Sequence, residues 1–304
     1  MKVFATGATG VLGRRVVRAL VARGDEVVGL ARSSANEATL ASLGATAVPG
    51  DLFDGDRLGT ATAGVDAILH LATKIPSART GWRASAWREN DRIRDAGTPL
   101  LAEAARANGV GTLVYPSISF GYDDRGDDWI DELVPYRAES PILASTIAAE
   151  EVTTEFAADG GRGVVLRMAL FVGPDASTTR DARRGARLGR APCFGPTAAY
   201  VSTIWLDDAA AAVVAAMDAP SGTYNVAEDE PLRRGDYCAA AAAAFGRKRL
   251  KPLPASVARR IGAEYLLRSQ RVSNAAFKAA TGWTPEVGAR GAWARIGAEL
   301  GTAR

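Results

Sequence analysis

Thr6-Gly7-Ala8-Thr9-Gly10-Val11-Leu12-Gly13 is the stretch that most narrows the folds open to this chain. It follows the apolar run Lys2-Val3-Phe4-Ala5, which reads as a buried strand. It leads into a helical pattern carried by Val11, Val16, Val17, Leu20 and Val21, and a second strand over 26–31 completes the unit. Each glycine has a separate task in such a turn. Gly7 permits the tight reversal, Gly10 clears the backbone where a pyrophosphate must approach, and Gly13 lets the helix pack close to the strand. Thr6, Thr9, Val11 and Leu12 lie in the same loop, whose N–H groups and helix dipole face the phosphates, so the motif reads as a dinucleotide cradle.

Downstream of the cradle, strand-like runs at 45–48, 67–71, 112–116 and 163–168 alternate with helical patterns at 37–43, 88–108 and 142–158. Together with 2–6 and 26–31 these make six strands. The alternation predicts an α/β fold, a Rossmann-type doubly wound parallel sheet with helices on both faces. Beyond Phe171 the alternation stops. A strand at 200–206 leads into Asp207-Asp208, whose carboxylates suit the first turn of a helix. A strand at 223–227 and helices at 236–245 and 272–281 follow. We expect residues 1–170 to form the dinucleotide-binding domain, with 201–218 returning to it. Residues 171–200 and 219–304 are expected to form a smaller C-terminal substrate-binding domain over the carboxyl edge of the sheet.

The 304 residues carry 37 Lys and Arg against 34 Asp and Glu. A net charge of +3 gives no general polyanion surface, so a nucleic-acid partner is not expected. The longest apolar run, 209–217, is too short to span a bilayer. The first strand starts at residue 2, leaving no room for a leader, and the two cysteines, Cys193 and Cys238, show neither a CxxC pair nor a disulfide framework. These features predict a cytoplasmic protein in a reducing compartment, with no metal site.

With these residues in hand the chain resembles the extended short-chain dehydrogenase/reductase superfamily, in particular its NAD-dependent epimerase/dehydratase branch. The resemblance runs nearly end to end. It rests on the TGxxGxxG pattern of Thr6 to Gly13, Asp51-Leu52 after the third strand, His70-Leu71-Ala72-Thr73 after the fourth, Leu166-Arg167 and Gly173-Pro174. The segment 204–210, Val272-Ser273-Asn274 and Gly282-Trp283-Thr284-Pro285 match the C-terminal part of the pattern. It implies a nicotinamide cofactor, with Asp51 and Leu52 flanking the adenine and Leu71, Ala72 and Thr73 lining the ribose and pyrophosphate. It also implies a small-molecule substrate and a homodimer formed through helices 88–108 and 142–158.

The end of the second strand selects the dinucleotide. A carboxylate there serves the ribose hydroxyls of NAD, whereas a 2′-phosphate needs a cation. The chain has Arg32-Ser33 and no acid before Glu37, which points to NADP (NADPH).

The family reaction uses a tyrosine, a lysine four residues later and a strand hydroxyl. Aligning Ser140-Pro141 and Glu150 with the family helix puts Ile142 at the tyrosine and Thr146 at the lysine. The hydroxyl position falls on Ile118, flanked by Ser117 and Ser119. Three readings follow. The chain is an oxidoreductase whose proton is handled by Tyr122, Ser117, Ser119 or Lys74. Alternatively it is a non-redox enzyme, a cyclase, dehydratase or isomerase, using carboxylates of the acidic loop 122–132. In the third reading it is a cofactor sensor without turnover. The first leads, because a complete cradle with Arg32 has little use without a nicotinamide ligand. The resemblance gives His70 a packing role near the cofactor. Arg180, Arg183, Arg184 and Arg187 share one helical face, read as solvated rather than diphosphate-binding. Trp82, Trp87, Trp129 and Trp205 read as core or as walls of an apolar pocket.

Overall fold

The computed structural model describes residues 1–76, 80–138 and 141–301. Its thirteen strands in chain order are β1 (Lys2–Thr6), β2 (Glu26–Ala31), β3 (Thr46–Pro49), β4 (Ala67–His70), β5 (Thr112–Ile118), β6 (Arg162–Met168), β7 (Leu170–Val172), β8 (Arg190–Phe194), β9 (Tyr200–Val201), β10 (Thr203–Trp205), β11 (Gly222–Val226), β12 (Leu232–Arg233) and β13 (Lys251–Leu253). Among the described residues, seven of them form one sheet in the order β11-β6-β5-β4-β1-β2-β3, every pair parallel. Strand order reverses between β1 and β4, and the crevice at that switch point is where ligands sit in open α/β sheets.

Period-two alternation places the core. Val3, Ala5, Ala67, Leu69 and Val114 pack on one face, and Phe4, Ile68 and Leu113 on the other. The first face is covered by α1 (Gly13–Arg23) and α8 (Leu206–Ala216), through Val16, Val17 and Leu20 and through Ala209, Ala212, Val213 and Ala216. The second carries α3 (Gly55–Ala61), α5 (Thr98–Ala107) and α6 (Pro141–Ala158), which contribute Leu58, Leu101, Ala105 and Phe156. Because both faces are buried, the strands read as near-continuous apolar runs.

Four features depart from the sequence expectation. The sheet has seven strands, because Gly222–Val226 runs beside β6, pairing Gly222 with Val164 and Val226 with Met168. The helix expected over 88–108 is interrupted. It consists of α4 (Ala84–Arg92), a single π turn (Ile93–Gly97) and α5. Pro99 has no N–H for the preceding turn, and Gly97 lies so close to Leu52 that an added Cβ would stand 2.5 Å from Leu52 Cδ2. The strand expected over 200–206 breaks at Ser202, whose Oγ donates to the Gln270 carbonyl and accepts from Val272 N, at 2.8 and 2.9 Å. Finally, Cys193 and Cys238 are joined in a disulfide inside the C-terminal core of Tyr237, Ala241 and Trp293, although 45 residues of sequence hid their proximity. Among the described residues no helix is long and apolar enough to cross a membrane.

Two buried carboxylates hold the C-terminal segment to this frame. Asp208 accepts from Val287 N at 3.0 Å, and Glu228 accepts from Ala289 N and from the Thr203 hydroxyl at the start of α12 (Ala289–Glu299). Burial pushes the Glu228 carboxyl up to about 7. With the folded value above the unfolded one, its contribution is full at acidic pH and is lost as pH rises through about 7. The wild-type urea midpoint is therefore expected to fall between pH 5 and pH 8. Glu228→Gln, which cannot ionise, removes that part of the fall; an unchanged pH dependence in the variant would contradict the assignment.

Candidate cofactor and active site

The cradle after β1 is shaped by backbone contacts that leave no room for side chains. Gly7 sits at φ +64°, and a Cβ there would stand 2.5 Å from the Leu71 carbonyl carbon and from Ala72 N. Gly10 N donates to the Gly7 carbonyl at 2.9 Å, closing the turn. A Cβ on Gly13 would run into the Gly7 carbonyl oxygen and lie 2.7 Å from Ala8 Cα. Gly10 faces outward, with only the Gly7 oxygen near its Cβ position, at 3.1 Å. The first turn of α1 has no side-chain cap and no acidic residue, which leaves its N–H groups and dipole open to an anion. A dinucleotide pyrophosphate fits this shape. Thr9 and Val11 lie on the rim, their carbonyls bound by Arg14 Nη1 at 2.8 Å and Arg15 Nη1 at 2.9 Å, while Leu12 is buried beneath. The same arginines bind Asp175, and Arg15 binds Asp207 at 2.7 Å.

Beside the cradle, the carboxyl ends of β2 and β3 frame a cavity of about 300 Å³ lined by Ala31, Arg32, Ser33, Glu37, Gly50 and Asp51. Arg32 is exposed and makes no ion pair among the described residues. Ser33 Oγ caps α2 (Ser34–Ser42), accepting from Asn36 N at 3.3 Å, and Asp51 accepts from Phe53 N at 3.0 Å. Leu52 is buried against Gly97, Leu71 and Ala72 back the Gly7 turn, and Thr73 is exposed beyond them.

Thr6 and His70, the last residues of β1 and β4, are hydrogen-bonded at 2.8 Å between Oγ1 and Nδ1. Burial holds the imidazole down to about 4, so it stays neutral near physiological pH. Lys74 is exposed, and its backbone N donates to Asn90 Oδ1 at 3.1 Å.

The hydroxyl candidates separate. Ser117 donates to Glu150, and Glu150 grips Arg167 at 2.7 Å to Nη2 and 3.2 Å to Nε. Arg167 Nη1 donates to the Tyr122 hydroxyl at 3.0 Å, which in turn donates to Asn225 Oδ1 at 2.7 Å. Tyr136 stacks 3.8 Å from the guanidinium and donates to the Ile118 carbonyl. Tyr122 is fully buried, and burial pushes its phenol up to about 12. Ser117 and Tyr122 are thus enclosed in a network joining β5, α6, β6 and β11. Ser119 begins the turn just past β5, is 1% exposed, and its hydroxyl has no partner among the described residues. Thr146 is buried on α6; Ser140 and the Ile142 side chain lie outside the described residues. Glu150, Arg167 and Asn225 are partners of the candidate hydroxyls that sequence reasoning did not assign, although charged residues within buried segments are a signal for such pairs.

The acidic loop is committed to structure. Asp123 binds Arg137, Asp127 binds Arg233, Glu132 accepts from Asn225 N, and Asp124 and Asp131 close local turns onto Gly126 N and Leu133 N. Arg180, Arg183, Arg184 and Arg187 lie on the exposed side of α7 (Ser177–Arg187), as the solvated reading expects. Trp205 is core, Trp87 donates to the Gly81 carbonyl, and Trp82 and Trp129 are exposed.

A family model described as the NAD dependent epimerase/dehydratase family matches residues 3–227, which include the cradle, the Arg32 cavity and the Ser117 network. The chain belongs to this family. Among proteins similar to this epimerase/dehydratase member, 3-diazoavenalumate denitrifying reductase of Streptomyces sp is 30% identical over 297 residues, covering 94% of this chain and 96% of that protein. The 2-alkyl-3-oxoalkanoate reductase of Stenotrophomonas maltophilia (strain K279a) is 31% identical over 280 residues, covering 86% and 82%. Human epimerase family protein SDR39U1, solved with NADPH, shares the fold at a TM-score of 0.79 and 23% identity, covering 99% of this chain and all of that one. The family member described here is thus a Rossmann-type, oxidoreductase-like protein of the short-chain dehydrogenase/reductase group.

Proposed function

We propose that the chain is an NADP(H)-dependent oxidoreductase that reduces a carbonyl or related polar double bond of a small organic molecule. When bound, the nicotinamide supplies or accepts a hydride. The chain's own residues bind and orient. The backbone of Thr6 to Gly13 receives the pyrophosphate, Leu71, Ala72 and Thr73 border the ribose, and Asp51 and Leu52 flank the adenine. Residues 171–200 and 219–304, apart from β11, cover the substrate side. Ser119 is assigned as the hydroxyl that donates a hydrogen bond to the substrate oxygen, since Ser117 and Tyr122 already have partners. Two relatives that span most of this chain are named reductases, which supports redox turnover over a non-redox step. The engaged carboxylates of the acidic loop support the same choice.

The observation that carries the cofactor assignment is the cavity at Arg32, Ser33 and Asp51, where a guanidinium with no ion pair among the described residues stands beside the N-terminus of α2. Calorimetric titration should give tighter binding of NADPH than of NADH. Arg32→Ala is expected to lower NADPH affinity about tenfold to a hundredfold and to leave NADH affinity unchanged. Equal binding of the two dinucleotides by the wild type, or equal losses in the variant, would reverse the NADP assignment. Oxidation of NADPH in step with reduction of a ketone or enone would establish turnover.

A further inference from the structure

The small net charge of the chain conceals a local excess at the C-terminal end of α7. Residues 185–191 and 246–252 carry six Lys and Arg and no acid, twice the +3 of the whole chain. The fold brings these two stretches together. β8 and β13 run parallel with Arg190 beside Lys251, and Lys251 N donates to the Gly189 carbonyl at 3.1 Å. The last turn of α7 packs on the same place, since a Cβ on Gly185 would stand 3.2 Å from the Arg190 carbonyl oxygen. Burial of alternate residues then turns the charges outward. Ala186, Ala191 and Leu250 enter the C-terminal core of Tyr237 and Trp293, which leaves Arg187, Arg190, Arg249 and Lys251 outside it, with Arg247 and Lys248 exposed on the loop ahead of β13. None of the six makes an ion pair among the described residues. At the apex of the turn Leu188 is 81% exposed, its N donating to the Gly185 carbonyl at 2.9 Å, and Gly189, at φ +69°, reverses the chain into β8.

Six like charges held side by side repel one another, and an anionic partner relieves that repulsion. The surroundings say which kind. One apolar side chain ringed by cations is too small a centre for a protein partner, which needs an apolar core within about 800 Å² a side. Neither stretch contains an aromatic ring on which a base could stack. An anionic bilayer supplies both complements, phosphates for the guanidinium forks and hydrocarbon for the leucine. We propose that this face docks on a bilayer rich in anionic lipid, with Leu188 inserted at the headgroup boundary. The contact is peripheral, as no described helix is long and apolar enough to cross a membrane. Leu133 provides the contrast: it is 91% exposed but follows Asp131 and Glu132, and so lacks the cationic ring.

The inference does not depend on the dinucleotide reading. Full-length protein is co-sedimented with phosphatidylcholine vesicles and with vesicles in which about one lipid in three is phosphatidylglycerol, at about 0.1 M and about 0.5 M salt. The wild type is expected to bind the anionic vesicles about tenfold or more tightly than the neutral ones at the lower salt, and to lose that preference at the higher. Arg190→Glu/Lys251→Glu should weaken anionic binding about tenfold or more, and Leu188→Ser about fivefold with the charge unchanged, while Leu133→Ser stays within about twofold. All four positions are exposed, so urea midpoints should match the wild type and a folding defect would be seen directly. Equal binding to both vesicle types, or anionic binding indifferent to the charge reversal or to Leu188→Ser, overturns the proposal. Short duplex DNA bound as tightly as the anionic vesicles also overturns it, in favour of a nucleic acid.

Discussion

Gly13→Ala is expected to abolish dinucleotide binding while the sheet stays folded. The added methyl would enter the Gly7 carbonyl oxygen and approach Ala8 Cα to 2.7 Å, and both obstacles are backbone, so no rotamer relieves them. Nor can the turn back away, since the Leu71–Ala72 peptide lies so close on the far side that a Cβ on Gly7 would stand 2.5 Å from it. The cradle must open, and the N–H groups that converge on the pyrophosphate diverge. A stability loss of about 1 to 3 kcal/mol is expected from the overpacking. NADPH affinity should fall by about a hundredfold or more, near the limit of calorimetric detection. Gly10→Ala is the informative partner. Its methyl meets only the Gly7 oxygen at 3.1 Å, so the urea midpoint should hardly move while affinity falls, because the methyl occupies the space over which a phosphate approaches. If both variants bind NADPH like the wild type, the turn is a structural element and not a cradle.

Glu150→Ala is expected to produce the largest stability loss of any single substitution considered. It removes the partner of Arg167 and the acceptor of Ser117, and it strands a guanidinium whose side chain is 12% exposed. Breaking a buried pair from one side costs about 3 to 5 kcal/mol, because the remaining charge stays desolvated. Urea unfolding should show a lower midpoint with an unchanged slope. The double variant Glu150→Ala/Arg167→Met should recover a large part of that loss, since no unpaired charge remains. A single variant within about 1 kcal/mol of the wild type would show that solvent compensates Arg167. The network also joins four elements that are distant in sequence, so its loss should loosen the edge of the sheet at β6 and β11.

The central sheet is legible in the sequence because its strands are buried on both faces and punctuated by glycine. The alternation of Val3, Phe4 and Ala5 between two cores is a local pattern. The Arg32, Ser33 and Asp51 cavity is legible for a related reason: parallel neighbours bring the ends of β2 and β3 side by side, so residues at equivalent positions meet. What was hidden depends on contacts between distant segments. The strand at Gly222–Val226 is legible within a residue, but its place at the edge of the main sheet, beside a partner nearly sixty residues earlier, is set only by pairing with β6. The π turn follows from the fit of Gly97 against Leu52, which no helical periodicity records. Ser117 and Ser119 look alike in sequence, and only Glu150, brought in by α6, distinguishes the occupied hydroxyl from the free one. Cys193 and Cys238 meet because β8 and α9 (Arg234–Ala244) share a core with α12.

Arg14 and Arg15 bolt the phosphate loop to Asp175 and Asp207, and the next residue, Asp208, grips Trp283 and Val287 through its carbonyl and carboxylate. Read end to end, these bonds tie the loop after β1 to Trp283 and Val287, just ahead of the last helix, through the adjacent residues Asp207 and Asp208. Segments from opposite ends of the chain are thus anchored at one place in the fold, the start of α8.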